Sequence, residues 1–412
     1  MKTYTRTEVS ELVKAEFESS LEGLFREGAR KMLQAALEIE VTEYIEQSKA
    51  HLDGKGRHLV VRNGSHKQRE LITGIGRLPV EQPRVDDRRE GERFSSAILP
   101  RYARRTPSID RLIPTLYLKG ISTSGFPHAL EAILGKNAPG LSPANIVRLK
   151  EIWQAEYEAW RKRDLTGKRY VYVWADGIYF TVRLEPDRPC VLVLIGATAD
   201  GKKELIAVED GHRESKLSWQ AVLKDLKVRG LKDPPCLAVG DGGLGFWAGL
   251  EEEFPTTQQQ RCWVHKTANV LDKLPKTIHG GAKQLLHEMY LSPTRTEALK
   301  TYDQFIQLYE PKYPKACECL EQDKQVLFTF YDFPAAHWRH LRTTNPIEST
   351  FGTVRHRTRQ TKGCGSRKAT LSMVYKLATE AEKTWQRLHG HQIIELLLRG
   401  TQFVDGEMKK VA

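Results

Sequence analysis

The sequence contains no run of about 18 apolar residues, so no membrane-spanning helix is expected. Its first residues, Met1-Lys-Thr-Tyr-Thr-Arg6, lack an apolar signal core, and secretion is not expected. Cysteine is scarce: six residues in 412, scattered apart from Cys317-Glu-Cys319. That pattern excludes a disulfide framework and reads as reduced thiols of an intracellular protein. There is no internal repeat and no low-complexity tract. Acids are missing from one stretch in particular, Phe351 to Lys368, which holds Arg355, Arg357, Arg359, Lys362, Arg367 and Lys368.

What is present points to a globular protein with a polyanionic partner. Apolar residues make up 40% of the chain, enough for real cores. Lys+Arg outnumber Asp+Glu by 64 to 52, a net charge of +12, and an excess of that size suits nucleic acid. The length allows roughly two to four domains.

Apolar periodicity divides the chain into six segments. Residues 1–56 read as a helical N-terminal segment with Val9, Leu12, Val13, Phe17, Leu21, Leu24 and Phe25 at three- and four-residue steps. Such a helix serves either to pair with another copy or to pack on its own domain. Residues 57–105 read as a small, basic, β-rich domain, with Asn63-Gly64 as a tight-turn signal. Residues 106–165 read as three short helices resembling a helix-turn-helix unit. The first is built on Ile109, Leu112, Ile113, Leu116 and Leu118, the second spans Ser124 to Leu134, and the third opens at Ser142-Pro143. Asn145, Arg148 and Lys150 on that third helix are placed to enter a DNA groove, or else to form a solvated face.

Residues 166–250 read as a mixed α/β sheet. Arg169 to Trp174 and Ile178 to Leu184 form two strands, followed by Val191 to Thr198, a turn at Asp200-Gly201 and Glu204 to Val208. A helix from Ser215 to Arg229 buries Trp219, Val222, Leu223 and Leu226, and Leu237-Ala-Val is a short buried strand. Residues 251–340 read as a helical insertion whose core includes Val264, Val270, Leu286 and Met289, and 341–412 as closing helices, the last from about 367 to 399.

Three acids stand out. Asp176 and Asp241 each follow an apolar strand and precede glycine, and Asn345-Pro-Ile-Glu348 opens a helix that runs into the acid-free basic stretch. Two or three hard carboxylates are the least a protein needs to hold Mg²⁺ for phosphodiester chemistry. Each acid also has a plain structural reading. Asp-Gly is a common turn, and Glu348 stands at capping-box spacing from Asn345. The basic sequel favours the chemical reading, because a metal-binding carboxylate beside a phosphate-binding stretch makes joint sense. Gln260-Arg-Cys262-Trp-Val-His265-Lys266 adds a Cys-x-x-His pair, which reads either as half a zinc site with Cys317 and Cys319 or as packing or DNA contacts on one helix face.

Together these strings resemble the Mutator-type insertion-sequence transposases of bacteria. The resemblance rests on Trp174-Ala-Asp176-Gly177, Asp200-Gly-Lys-Lys-Glu204, Arg229-Gly-Leu231, Val239-Gly-Asp241-Gly242, Phe254-Pro255, Gln260-Arg-Cys262-Trp-Val-His265-Lys266, Thr343-Thr-Asn-Pro-Ile-Glu348-Ser349 and Arg355-His-Arg-Thr-Arg-Gln-Thr-Lys-Gly363. It is strongest from about 165 to 380, with 65 residues from Asp176 to Asp241 and 107 from Asp241 to Glu348. Cys364-Gly-Ser departs from the bulkier apolar residue many members carry there. The resemblance implies an RNase H-like α/β catalytic core interrupted by an all-helical insertion and preceded by helical and small β-rich DNA-binding or dimerisation domains. It implies a metal-binding catalytic triad of Asp176, Asp241 and Glu348 with Mg²⁺ or Mn²⁺, as two ions. Double-stranded DNA, both terminal inverted repeats and target, would be the partner of a homodimer or higher assembly, cytoplasmic and nucleoid-associated. Arg148, Lys150, His265, Lys266, Arg355, Arg357, Arg359 and Lys362 are the expected DNA contacts. A nuclease that cuts without strand transfer, and a DNA-binding regulator derived from a transposase, are the rival readings.

Overall fold

The computed structural model describes residues 6–118, 121, 143–180, 190–211, 213–360 and 366–409. They fall into two compact units, 1–148 and 149–412. Among the described residues no helix is long and apolar enough to cross a membrane.

The first unit opens with helix α1 (Arg6–Gln47). Leu37 and Val41 are buried, and Leu37 packs with Leu71, Leu78, Val80 and Leu99 of the β-rich piece that follows. That piece comprises β1 (Val60–Ser65), β2 (Arg69–Thr73), β3 (Gly76–Val80) and β4 (Pro83–Asp87). It forms two antiparallel pairs, β1 with β4 and β2 with β3. Glu40 of α1 accepts from the Ala97 and Ile98 amides at 2.6 and 3.2 Å, which pins the loop after β4 to the helix. Asn63-Gly64 is not the expected tight turn. It lies inside β1, where the pairing with β4 shifts register between Arg62 and Ser65 and Gly64 takes φ +64°, a bulge geometry that glycine adopts without penalty. Helix α2 (Pro107–Leu118) follows, with Ile109 buried as expected. The second expected helix, Ser124 to Leu134, lies outside the described residues.

The second unit begins within helix α3 (Pro143–Arg161). From Leu149 onward α3 is anchored on the α/β layers rather than displayed. Trp153 and Tyr157 are buried, and the Tyr157 hydroxyl donates to the Val208 carbonyl at 2.8 Å.

The sheet of this unit has the order β7-β6-β5-β8-β9. Its strands are β5 (Tyr170–Tyr179), β6 (Cys190–Thr198), β7 (Lys203–Gly211), β8 (Leu237–Gly240) and β9 (Gln258–Arg261). β5, β6 and β7 form an antiparallel meander, while β8 and β9 run parallel to β5 and to each other. Two expectations change here. The first strand does not stop before Asp176, and Ile178 does not open a second one: β5 continues through Asp176-Gly177 to Tyr179, held by antiparallel pairing with β6, and residues 181–184 of the expected second strand lie outside the described residues. And the helical insertion does not begin at 251, because β9 completes the sheet before it.

Helix α4 (Lys216–Val228) is capped by Ser215, whose side chain accepts from the Ser218 amide, and it buries Trp219, Val222, Leu223 and Leu226. With Phe246 and Leu250 of helix α5 (Leu244–Glu253) these residues close one face of the sheet. The helical block starts with α6 (Trp263–Leu271) and continues through α7 (His279–Leu291), α8 (Arg295–Tyr309) and α9 (Pro314–Glu321). Val270, Leu286 and Met289 are buried as expected, but Val264 is 43% exposed. The other face of the sheet is covered by α10 (Asn345–Gln360), which packs on β5 and β6, and α11 (Arg367–Glu382), which packs on β7. The expected long last helix ends at Glu382. Gly390 then takes φ +73°, and a short helix Ile394–Leu398 and a hairpin, Phe403–Val404 with Glu407–Met408, finish the described chain.

Burial on α4 separates two neighbouring side chains: Trp219 is 1% exposed and Leu217 is 76% exposed. Trp219→Ala is expected to cost about 3–5 kcal/mol, and Leu217→Ala less than about 0.5 kcal/mol. Denaturant unfolding of the two variants checks this; equal losses would mean α4 does not bury the face described.

Candidate active site

The parallel pairing of β5, β8 and β9 ends at one level, and its register decides what meets. Ala175 pairs with Gly240, and Gly240 with Arg261. The next residues along the three strands are Asp176, Asp241 and Cys262. Neighbouring strands lie about 4.8 Å apart, so the two aspartates emerge side by side at the C-terminal edge, where open α/β sheets present their sites.

The carboxylates are fixed by short local bonds. Asp176 is 7% exposed and accepts from the Gly177 amide at 2.8 Å. Asp241 accepts from the Gly243 amide at 2.9 Å, and Arg261 Nη1 stands 3.6 Å from it. Gly242 takes φ +79°, and any side chain there would collide with the Arg261 guanidinium. Arg261 in turn holds Asp323 through Nε at 3.0 Å.

Glu348 arrives from α10 by a separate route. The Cys262 sulfur, fully buried, accepts from the Thr344 amide at 3.3 Å and from its hydroxyl, 3.4 Å away. The Thr344 hydroxyl also lies 2.9 Å from Glu348 Oε1, and the Thr344 carbonyl accepts from the Glu348 amide at 3.0 Å. Thr344, not Asn345, therefore precedes the helix, and Glu348 bonds the threonine side chain. Among the described residues, the group whose ligand atoms all fall within 4.8 Å is Cys262, His265 and Glu348. Asp176 and Asp241 are not members of that group of three; their charges act on its His265.

A fourth acid, unmarked in the sequence, completes the cluster. Glu214 precedes the Ser215 cap of α4, and its carboxylate lies against Gly177, next to Asp176, and Gly243, two residues after Asp241. Nothing in Arg213-Glu214-Ser215 singles it out, since its role depends on where α4 meets the sheet. The one signal that could have found it is an acid just ahead of a helix cap, in a chain whose strand ends carry acids.

Crowding shows in the titration of these groups. Burial, with the charges of Asp241 and Glu214, pushes Asp176 up to about 7, against the pull of His265. Burial and Asp241 push Glu214 up to about 7. Pairing with Cys262 raises His265 to about 9 against its burial, and Asp176 and Asp241 add to the rise. Burial drives the Cys262 thiol up, but His265 and Thr344 outweigh it and hold Cys262 below its usual value. The edge therefore concentrates negative charge with His265 and Arg261 as its internal cations.

The expected DNA contacts fare unequally. His265 faces the acids. Lys266 is 2% exposed, with Nζ 2.5 Å from both Asp323 and the Cys319 carbonyl; a buried ammonium tied inside the helical block is not presented to DNA. Lys150 is half-buried on α3 and Arg355 is exposed on α10. Arg148, Arg357 and Arg359 lie on described helices, though their side chains, like Lys362 as a whole, are outside the described set. Cys317 and Cys319 do not join Cys262 and His265, so the four-residue zinc site is not assembled.

A mixed sheet flanked by helices, with an acid cluster at the ends of its parallel strands, fits an enzyme of phosphate-ester chemistry. The comparisons with known proteins are more specific. The family model "Transposase, Mutator family" matches residues 1–388. The chain is 50% identical over 285 residues to the transposase for insertion sequence element IST2 of Acidithiobacillus ferrooxidans, covering 68% of this chain and 94% of the relative. It is 47% identical over 300 residues to the transposase for IS6120 of Mycolicibacterium smegmatis, covering 73% and 92%. It is 30% identical over 386 residues to the transposase for ISRM5 of Rhizobium meliloti strain 1021, covering 92% and 94%. The chain belongs to the Mutator family of transposases, enzymes that act on DNA.

If Lys266 is a buried strut, its loss is a folding defect. Removing one partner of a buried pair is strongly destabilising, so Lys266→Met should cost at least about 2 kcal/mol in thermal or denaturant unfolding. The salt slope of DNA binding by the folded fraction should not change. A shallower slope at unchanged stability would return Lys266 to the DNA interface.

Proposed function

We propose that Asp176, Asp241 and Glu348 are the catalytic acids of this transposase, and that they hold Mg²⁺ or Mn²⁺, as two ions. The observation that carries the reading is the register that sets Asp176 and Asp241 side by side, with Glu348 tethered to the same edge through Cys262 and Thr344. The donors fit the group: carboxylate oxygens are the ligands hard divalent cations prefer, and the crowding that raises Asp176 and Glu214 is relieved by a cation. Two such ions, when bound, activate the attacking oxygen and stabilise the leaving oxygen of an in-line displacement. The sheet order, an antiparallel meander followed by two parallel strands with helices on both faces, supports an RNase H-like core interrupted by the helical block that follows β9.

The protein's own groups do the rest. Burial of Asp176 and the backbone bonds at Gly177 and Gly243 hold the aspartates rigidly, so little reorganisation is needed as charge develops. Thr344 fixes the Glu348 rotamer. Arg355, Arg357, Arg359 and Lys362, on and just after α10, grip backbone phosphates and lead the strand toward Glu348. The N-terminal domains bind the terminal inverted repeats, and the protein acts on both ends of its element as a homodimer or higher assembly. Water attacks first to free a 3′-hydroxyl, which then attacks target DNA.

Asp241→Asn is expected to reduce cleavage of an element-end oligonucleotide by on the order of 10³-fold or more while end binding persists. Unchanged cleavage would overturn the reading. Cleavage by the unaltered protein with no strand joining would favour a nuclease, and end binding with no cleavage a regulator. The closeness of Cys262, His265 and Glu348 also suits a single Zn²⁺; stoichiometric zinc in the purified protein would select that reading.

Arg355→Ala tests the phosphate role separately. Binding should weaken by a similar factor on every DNA sequence, and the slope of log K against log salt should fall by about one. Loss confined to one sequence would make Arg355 a base reader.

A further inference from the structure

Glu214 is the acid whose position the triad does not explain. Its carboxylate fills space that two glycines leave open. A Cβ on Gly177 would stand 2.5 Å from Oε1, and one on Gly243 would stand 3.3 Å from Oε2 and 3.8 Å from Asp241 Oδ1. One oxygen therefore faces the residue after Asp176 and the other the second residue after Asp241.

The backbone beneath is equally constrained. Ser215 caps α4, and Gly245 lets the Glu214 carbonyl and the start of α4 sit directly on α5, where any side chain would collide. Such packing fixes the residue between two strand ends, where a loop acid facing solvent would need no such fit. Tyr179 is its hydrogen-bonding neighbour, the charge of Asp241 opposes its ionisation and His265 favours it. An acid placed this way, half-buried in an edge where carboxylates outnumber the cations His265 and Arg261, has an electrostatic reason to bind a further cation.

We propose that Glu214 is a fourth carboxylate of the divalent-metal site, lying against Gly177 and Gly243 and binding metal with Asp176 and Asp241. The inference rests on the reading of those two aspartates as ligands. In this role Glu214 adds charge and donor oxygens on the side opposite Glu348, so the aspartates are flanked by an acid from each face of the sheet: α4 supplies one and α10 the other.

The test is calorimetric titration of the full-length, metal-free protein with MnCl₂, run without DNA, on the wild type, Glu214→Gln, Glu214→Asp, Tyr179→Phe and Asp241→Asn, with circular dichroism confirming that each is folded. Glu214→Gln is expected to weaken Mn²⁺ binding about tenfold or more, with Glu214→Asp recovering part of it and Tyr179→Phe binding as the wild type does. Wild-type affinity in folded Glu214→Gln, with affinity lost in Asp241→Asn, would overturn the role of Glu214 and leave the triad intact. Wild-type affinity in both would overturn the metal-site reading itself. Equal weakening in Tyr179→Phe and Glu214→Gln would reduce Glu214 to an anchor for Tyr179. If Glu214→Gln does not fold, Glu214→Asp decides: weakened Mn²⁺ binding supports the proposal and unchanged affinity overturns it.

Discussion

Parallel strands that leave a sheet in register deliver their next residues side by side, and this one constraint organises the whole edge. The pairing of Ala175 with Gly240 and of Gly240 with Arg261 makes neighbours of Asp176, Asp241 and Cys262. Ladder hydrogen bonds fix that register far more firmly than any attraction among the acids, which repel one another. The cost of holding like charges together is thus borne by a rigid, buried sheet, where Tyr170 to Ala175 and Leu237 to Val239 are all buried. A slip of one residue would turn every side chain to the opposite face, and it would part the aspartates with it.

The second support is Cys262, which joins β9 to α6 and receives two bonds from Thr344. Through it the strand end that follows the second aspartate holds the helix that carries Glu348. The sulfur acts as an acceptor within the fold, its character set by His265 and Thr344. This gives the Cys-x-x-His pair a structural account: Cys262 fastens α10, and His265 places positive charge between the aspartates and Glu348. Gln260 serves the same join two residues earlier in the chain. It is fully buried in β9, its amide donating to the Leu327 carbonyl at 3.0 Å while its oxygen accepts from the Phe330 amide at 2.8 Å. The helical block is therefore bonded to the sheet at the strand that bears the site.

These joins also explain what could be read from the sequence. Features set locally were legible: the start of α4 at Ser215, its apolar face and the Asp200-Gly201 turn. β9 was not, because Gln258-Gln-Gln-Arg has no apolar alternation and is stabilised by pairing with β8 and by buried amide bonds to Leu327 and Phe330, far along the chain. Asp176 looked like a strand end because Asp-Gly signals a turn, while pairing with β6 carries the strand onward. Lys266 looked like a DNA contact because lysine is seldom buried unpaired, and its partner Asp323 lies too far along the chain to be guessed. Glu214 had no local signature at all, since its meaning arises only where α4 meets two glycines.

The balance of charge at the edge ties these points to function. Asp176, Asp241, Glu214 and Glu348 are set against His265 and Arg261, and Arg261 is shared with Asp323. In a partly desolvated site each unpaired carboxylate is expensive, and the protein's own response is to hold Asp176 and Glu214 at about 7, poised between neutral and charged. On the proposed reading a divalent cation takes the place of those protons, and the acids are already held in position by the strands. The deficit of fixed positive charge inside the edge contrasts with the basic excess of Arg355 to Lys368 along α10 and beyond it. On the proposed reading the first takes divalent cations and the second phosphates, and a strand of DNA lying along α10 would meet both beside Glu348.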